Sequence, residues 1–174
     1  MDGGVRADDL IARLGLVPLE GEGGRYRETY RLAAANNSGL PAATAIYYLL
    51  TPDTFSELHR LPSDELYHFY LGDPVELLTL APEGDVGRHV LGPDVLGGMA
   101  VQLLVPGGTW QGSRLREDGR FALMGTTMTP GFRAETYRRG DREELSQRYP
   151  SAAMEIKRLT RAGQEPVAPG GMVD

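Results

Sequence analysis

The chain has 174 residues, a formal net charge of −6 and no cysteine. That length fits one domain whose core needs neither disulfides nor a structural metal, and the missing thiols exclude cysteine nucleophiles, thiolate metal sites and disulfide staples. The acidic balance and scattered arginines argue against a nucleic-acid surface, and Lys157, the only lysine, stands in a polar C-terminal segment away from any expected pocket.

In chain order, residues 1–7 read as a disordered lead-in without a signal-peptide core, and no apolar run approaches a membrane span, so a cytosolic protein is expected. Residues 8–14 (DDLIARL) read as a short helix with Leu10, Ile11 and Leu14 on one face. Residues 16–24 read as a Gly- and Pro-containing loop, and 25–32 (RYRETYRL) alternate like a strand. A loop is expected around Asn36, Asn37, Ser38 and Gly39. Short strands follow at 44–50, 66–71, 75–81, 86–91, 102–105, 110–115 and 121–128, separated by turns such as Gly72-Asp73-Pro74 and Pro106-Gly107-Gly108. Many short strands with such punctuation predict an all-β sandwich or barrel. Residues 141–149 read as a helix capped by Asp141, with Glu144 completing a capping box, and Pro150 ends it. A second short helix is expected over 151–160, then a mobile Gly- and Pro-rich tail over 161–174, leaving one domain over 8–160.

Two segments carry candidate chemistry. Between His59 and Gly72, a histidine leads into a turn and Glu65 opens a strand, with Glu65, Tyr67 and Phe69 on one face and Leu66, His68 and Tyr70 on the other. A carboxylate at the mouth of a strand with two aromatics behind it fits a pocket lining. His59 reads either as a general base or ligand or as a hydrogen-bonded loop histidine. Glu65 reads either as a proton carrier, its pKa raised by burial, or as a salt-bridge partner of Arg60. In the second segment a tight turn at Pro106, Gly107 and Gly108 leads into a strand that places Thr109, Gln111 and Ser113 on one face, and Trp110 on the other as a core residue. On the first long strand, Tyr26, Glu28 and Tyr30 share a face, which reads either as a phenol–carboxylate acid–base pair or as ordinary core aromatics. His68 is expected to pack on the strand face opposite Glu65, and His89 to lie at the surface.

These segments resemble the two motifs of the cupin superfamily. His59, Glu65 and Gly72 take the second His, the Glu and the closing Gly of the first motif, with one extra residue between His and Glu. Pro106, Gly108 and Gln111 follow the Pro-x-Gly-x-x-His turn of the second, with Gln where His is usual. The stretches Glu22–Arg31, Thr44–Tyr47, Ser63–Tyr70, Thr129–Phe132 and Gly140–Leu145 resemble one small cupin subfamily of largely unassigned function, so the resemblance spans residues 8–160. It implies a jelly-roll barrel (a double-stranded β-helix of antiparallel sheets) with short N- and C-terminal helices. Metal-binding cupins typically use three His and one Glu. Here Glu57, His59, Glu65 and Gln111 stand at those places, so no tightly bound metal is expected, and a divalent ion, if present, would use His59, Glu65 and Gln111.

The resemblance implies acid–base chemistry on a small polar metabolite, on the model of the sugar-epimerase branch. His59 is the expected base, Glu65 its orienter, and Tyr26 or Tyr30 the acid. Gln111 is expected to hold a substrate carbonyl or hydroxyl, with Glu28, Tyr67, Phe69 and Ser113 lining the site. A metal-dependent oxygenase or lyase and a non-catalytic ligand-binding cupin remain alternatives. A homodimer is expected, with strand Arg25–Leu32 crossing to the partner, and neither nucleic acid nor membrane is expected as a partner.

Overall fold

The computed structural model describes residues 4–34 and 39–161. The expected loop at Asn36–Ser38 and the tail over 162–174 fall outside the described residues. The elements in order are α1 (Ala7–Leu14), β1 (Val17–Pro18), β2 (Arg25–Leu32), β3 (Ala43–Leu50), β4 (Phe55–Arg60), β5 (Asp64–Gly72), β6 (Val75–Leu80), β7 (Val86–Leu91), β8 (Gln102–Val105), β9 (Trp110–Leu115), β10 (Ala122–Thr129), β11 (Arg138–Arg139), α2 (Arg142–Arg148) and α3 (Ala153–Arg158). The strands form two antiparallel sheets, ordered β1-β2-β3-β10-β5-β8 and β11-β4-β9-β6-β7.

Strand alternation turns one face of each sheet inward. In the first sheet the register stacks inward residues in rows across neighbouring strands. Thr44, Met128, Glu65 and Val105 form one row, Ile46, Thr126, Tyr67 and Leu103 the next, and Tyr26, Tyr48, Met124 and Phe69 a third. The second sheet presents Leu77, Leu115 and Val75 to the same core. The rows deep in the barrel are therefore apolar, and polar residues gather towards the end that holds Glu65.

The outer face of the second sheet is also covered. Leu58, Leu78, Leu80 and Trp110 pack beneath Leu145 of α2 and Ile156 of α3. Asp141 caps α2 as expected, accepting from the Glu144 amide at 2.8 Å. Helix α1 sets Leu10, Ile11 and Leu14 over Leu49 and Leu123 of the first sheet and over Leu16 and Phe121 beside it.

Three local expectations need correction. Residues 55–60 form strand β4, where the sequence reads only as a histidine leading into a turn. The loop over 16–24 includes the two-residue strand β1, which pairs with Arg25 and Tyr26. On β2 a bulge between Glu28 and Tyr30 breaks the alternation. Tyr26 faces the core, whereas Tyr30 is 53% exposed, so the two phenols do not share a face.

The turn before β2 is dictated sterically. Gly23 and Gly24 have φ of +104° and +72°. A Cβ on Gly23 would lie 2.2 Å from the Phe55 carbonyl oxygen, and one on Gly24 would lie 2.7 Å from the Tyr48 hydroxyl. Only glycine allows this approach, which brings Glu22 to the barrel mouth.

Candidate active site

Strand β4 brings the first group of functional side chains. Ser56, Glu57, Leu58 and His59 are all buried, which simple alternation does not allow with one covered face. A register shift against β9 between Ser56 and His59, together with helices on the outer face, buries both sides. The backbone is held by non-strand partners: Glu57 N–H donates to the Glu22 carbonyl at 2.8 Å, and Leu58 N–H to the Leu159 carbonyl at 2.7 Å.

Glu57 stands where metal-binding cupins have their first histidine, but its carboxylate is committed elsewhere. It lies 3.4 Å from Arg139 Nε and 3.0 Å from an Arg161 Nη, and it accepts from the Arg161 amide at 3.1 Å. Arg139 also donates to the Gly21 carbonyl at 2.8 Å. A carboxylate with only 1% of its side chain exposed is tolerable because two guanidinium groups neutralise it.

His59 is oriented by this same residue. Its Nδ1 lies 2.7 Å from the Glu57 backbone carbonyl. A carbonyl oxygen can only accept, so Nδ1 carries the proton, and Nε2 is the basic nitrogen of the neutral ring. The Tyr137 ring stacks on the imidazole with centroids 5.0 Å apart and planes 19° apart. The orienter of His59 is therefore a main-chain carbonyl, not Glu65 as the sequence reading has it.

Glu65 faces His59 from the opposite sheet. It is buried and accepts a hydrogen bond from Gln111 Nε2 at 2.7 Å. Burial raises its carboxyl above the usual carboxylate range; the His59 charge opposes this, Glu22 adds to it, and hydrogen bonds from Thr126 and Gln111 oppose it. Glu22 accepts from Ser56 Oγ at 2.8 Å. Between these two carboxylates lies a cavity of about 30 Å³, lined also by Thr44, Tyr48, Tyr67 and Thr126. That is room for one or a few water-sized groups. The Tyr48 and Tyr67 phenols are pushed well up by burial first, and by the nearby carboxylates.

Three buried polar atoms in this region have no hydrogen-bond partner among the described residues: Gln111 Oε1, Ser113 Oγ and the Tyr137 hydroxyl. Gln111 pairs in register with His59, Ser113 follows it on the same strand face, and Tyr137 stacks on His59. Native interiors leave few such atoms unpaired.

The structure thus brings His59, Glu65, Gln111, Ser113 and Tyr67 to the barrel mouth, with Phe69 as apolar wall deeper in the core. It does not bring the β2 residues there. Tyr26 packs in the core, Tyr30 points to solvent, and Glu28 is held by two 2.8 Å hydrogen bonds from Arg31. Sequence reasoning places Glu57 at a ligand position but misses Glu22, Tyr137 and the two arginines, Arg139 and Arg161, that hold Glu57. Glu22 sits in a stretch that reads as loop, and Tyr137 and Arg139 follow the last strand that the pattern reveals. His68 lies on the outer strand face as expected, between Thr127 and Gln102. His89 lines a separate outer groove of about 410 Å³ beside α3, with Arg88, Arg114 and Met154. Among the described residues that groove holds none of the unpartnered buried atoms.

A match to the family model described as Cupin superfamily (DUF985) covers residues 8–139. The chain belongs to the cupin superfamily. An uncharacterized protein from Saccharomyces cerevisiae, YML079W, is 31% identical over 107 residues, 58% of this chain and 53% of its own length, so the chain spans about half of that curated relative. Among solved structures, protein SO0799 from Shewanella oneidensis is 34% identical, with a TM-score of 0.83 over 91% of this cupin and 99% of its own chain. A hypothetical protein from Leishmania major is 33% identical, with a TM-score of 0.81 over 90% of this chain and 99% of its own. Oxalate decarboxylase from Bacillus subtilis matches at 16% identity and a TM-score of 0.54, over 90% of this chain and 41% of its own, which is a likeness of fold alone.

Metal centres occur on this fold, Mn(II) in that decarboxylase among them, so the donor set here was tested against one. It does not fit. Only one imidazole is present, the Glu57 carboxylate is bound by two arginines, and Gln111 turns its NH2 group onto Glu65. No group of three or more His, Cys, Asp or Glu among the described residues could hold a metal ion.

Proposed function

We propose that this cupin binds a small polar molecule at the mouth of its barrel and moves protons on it, with His59 and Glu65 as the proton-handling pair. The observation that carries the reading is the unpartnered buried polar atoms on residues beside those two groups: Gln111 Oε1 on the residue that pairs with His59 and bonds Glu65, Ser113 Oγ two residues along the same strand, and the hydroxyl of Tyr137, which stacks on His59.

The roles follow from the hydrogen bonds. His59 Nε2, left basic by the proton held on Nδ1, accepts a proton from the carbon next to a carbonyl. The electron pair of the broken C–H bond moves into the new C=C bond as the carbonyl oxygen takes a proton. Glu65 supplies that proton, because burial keeps its carboxyl protonated to higher pH than a solvated one. Gln111 gives its NH2 to Glu65 and so offers the substrate only Oε1, an acceptor, which suits a hydroxyl and not a carbonyl. The burial-raised Tyr137 phenol stays protonated and acts as a neutral donor beside the imidazole. Return of the proton from His59 to the former carbonyl carbon, while the neighbouring hydroxyl gives its proton back to Glu65 and becomes the new carbonyl, completes an isomerisation.

The test is deuterium uptake from D2O, followed by NMR, into a panel of small hydroxycarbonyl compounds such as glyceraldehyde and dihydroxyacetone. The wild-type protein is expected to catalyse exchange next to the carbonyl. His59→Ala is expected to lower it by about 10²–10⁴-fold, the usual contribution of a general base, with the thermal transition preserved. Exchange at the wild-type rate in His59→Ala would end the assignment.

A further inference from the structure

This inference deepens the proposed function and rests on its placement of the ligand in the Glu22–Glu65 cavity. Two of the cavity's lining side chains are carboxylates, Glu22 and Glu65, and none is basic. The nearest arginines, Arg139 and Arg161, are engaged by Glu57 and by main-chain carbonyls, and neither lines the cavity. Gln111 bonds Glu65 from outside the cavity lining, and its amide oxygen has no partner among the described residues. An anion here would meet the Glu22 carboxylate in a desolvated space, with no basic side chain in the cavity lining among the described residues to offset it.

We propose that the ligand of this cupin is a small non-anionic molecule that offers a hydroxyl or N–H donor to Glu22 and carries no carboxylate or phosphate. Glu22 selects for it. The carboxylate already accepts from Ser56 Oγ on one oxygen, Oε1, and keeps a second oxygen for a ligand donor. The cavity volume of about 30 Å³ limits the part enclosed to a few non-hydrogen atoms. Sugar nucleotides and keto acids, natural candidates for a barrel with epimerase-like chemistry, are excluded by their charge.

The experiment is isothermal calorimetry at neutral pH with glycerol and ethanolamine as non-anionic probes and lactate, oxalate and inorganic phosphate as anions. Fragments of this size are expected to bind with dissociation constants on the order of millimolar. Heat is expected from at least one non-anionic probe and from none of the anions. Glu22→Gln, which keeps an acceptor for Ser56, is expected to weaken the non-anionic probe about tenfold, the loss of one charge-assisted hydrogen bond. An anion that binds wild-type protein as tightly as the non-anions would overturn the inference, as would silence from both non-anionic probes up to roughly 1 M, far above millimolar affinity. The wild-type comparison stands even if Glu22→Gln fails to fold. Neither probe can undergo the proton transfer, so selective binding without any deuterium exchange would keep the charge selection and remove the catalytic reading.

Discussion

Arg139→Ala is expected to cost this protein about 3–5 kcal/mol, the range for breaking a buried ion pair from one side. The Arg139 side chain is 7% exposed and the Glu57 carboxylate 1%, so truncation leaves a charge in the interior with only the half-exposed Arg161 to neutralise it. The damage should also reach the site. Glu57 fixes His59 through its carbonyl, Arg139 pairs in register with His59, and Tyr137 stacks on the imidazole two residues before Arg139. Urea unfolding of Arg139→Ala, Glu57→Gln and the double variant measures the coupling directly. The double variant should be less damaged than the sum of the two singles, because neither buried charge is then left alone. A loss below about 1 kcal/mol in Arg139→Ala, the scale of an exposed pair, would show that the cluster is solvated and not the anchor of β4.

The second large effect concerns pH. Glu65 has a folded-state pKa raised above its ordinary value of 4.5, by burial first. Below that ordinary value the carboxyl is protonated in both folded and unfolded chains and imposes no penalty. As pH rises the unfolded chain ionises first, the folded chain binds more protons, and stability falls until the folded pKa is passed. Gln at this position does not titrate and retains an acceptor for the Gln111 NH2 group. The stability of Glu65→Gln relative to wild type should therefore increase with pH above about 4.5, with a slope no steeper than about 1.4 kcal/mol per pH unit. Urea midpoints from pH 4 to pH 8 give the comparison. A relative stability that stays flat or falls with pH would mean that Glu65 ionises inside the barrel without penalty, and it could not then serve as the acid.

Much of the fold was legible because its signals are local. Turns such as Gly72-Asp73-Pro74 and Pro106-Gly107-Gly108 delimit strands whose apolar alternation is clear, and the Asp141 cap marks α2. The strand from Glu65 to Phe69 shows its inner face directly, since one side is core and the other half-exposed. Strand β4 was not legible for the opposite reason. Ser56-Glu57-Leu58-His59 is buried on both sides, by the barrel and by the C-terminal helices, and neither contact can be read from neighbours in sequence. The β2 bulge likewise moved Tyr30 out of a face that strict alternation assigned to it.

The site divides in the same way. His59, Glu65 and Gln111 were visible because they fill motif positions, and the register then joined them across the two sheets. Glu22 reaches the cavity only through the Gly23–Gly24 turn, whose conformation is imposed by Tyr48 and the Phe55 carbonyl. Tyr137 and Arg139 reach His59 through a two-residue strand, too short to leave a pattern. What sequence spacing lacked was the third dimension of the C-terminal return, which replaces the space around the first cupin ligand position with a carboxylate held by two arginines.

The central claim is that the barrel mouth is built for a small polar guest held by Gln111 Oε1, Ser113 Oγ and Tyr137, with His59 and Glu65 in reach. A high-resolution crystal structure of the untagged protein as purified, with anomalous scattering collected for transition metals, tests it most directly. Ordered density for water or a small organic molecule is expected within hydrogen-bond distance of those three atoms, with no anomalous peak. A metal ion coordinated by His59 and Glu65, or a dry interior in which the three atoms find protein partners instead, would contradict it.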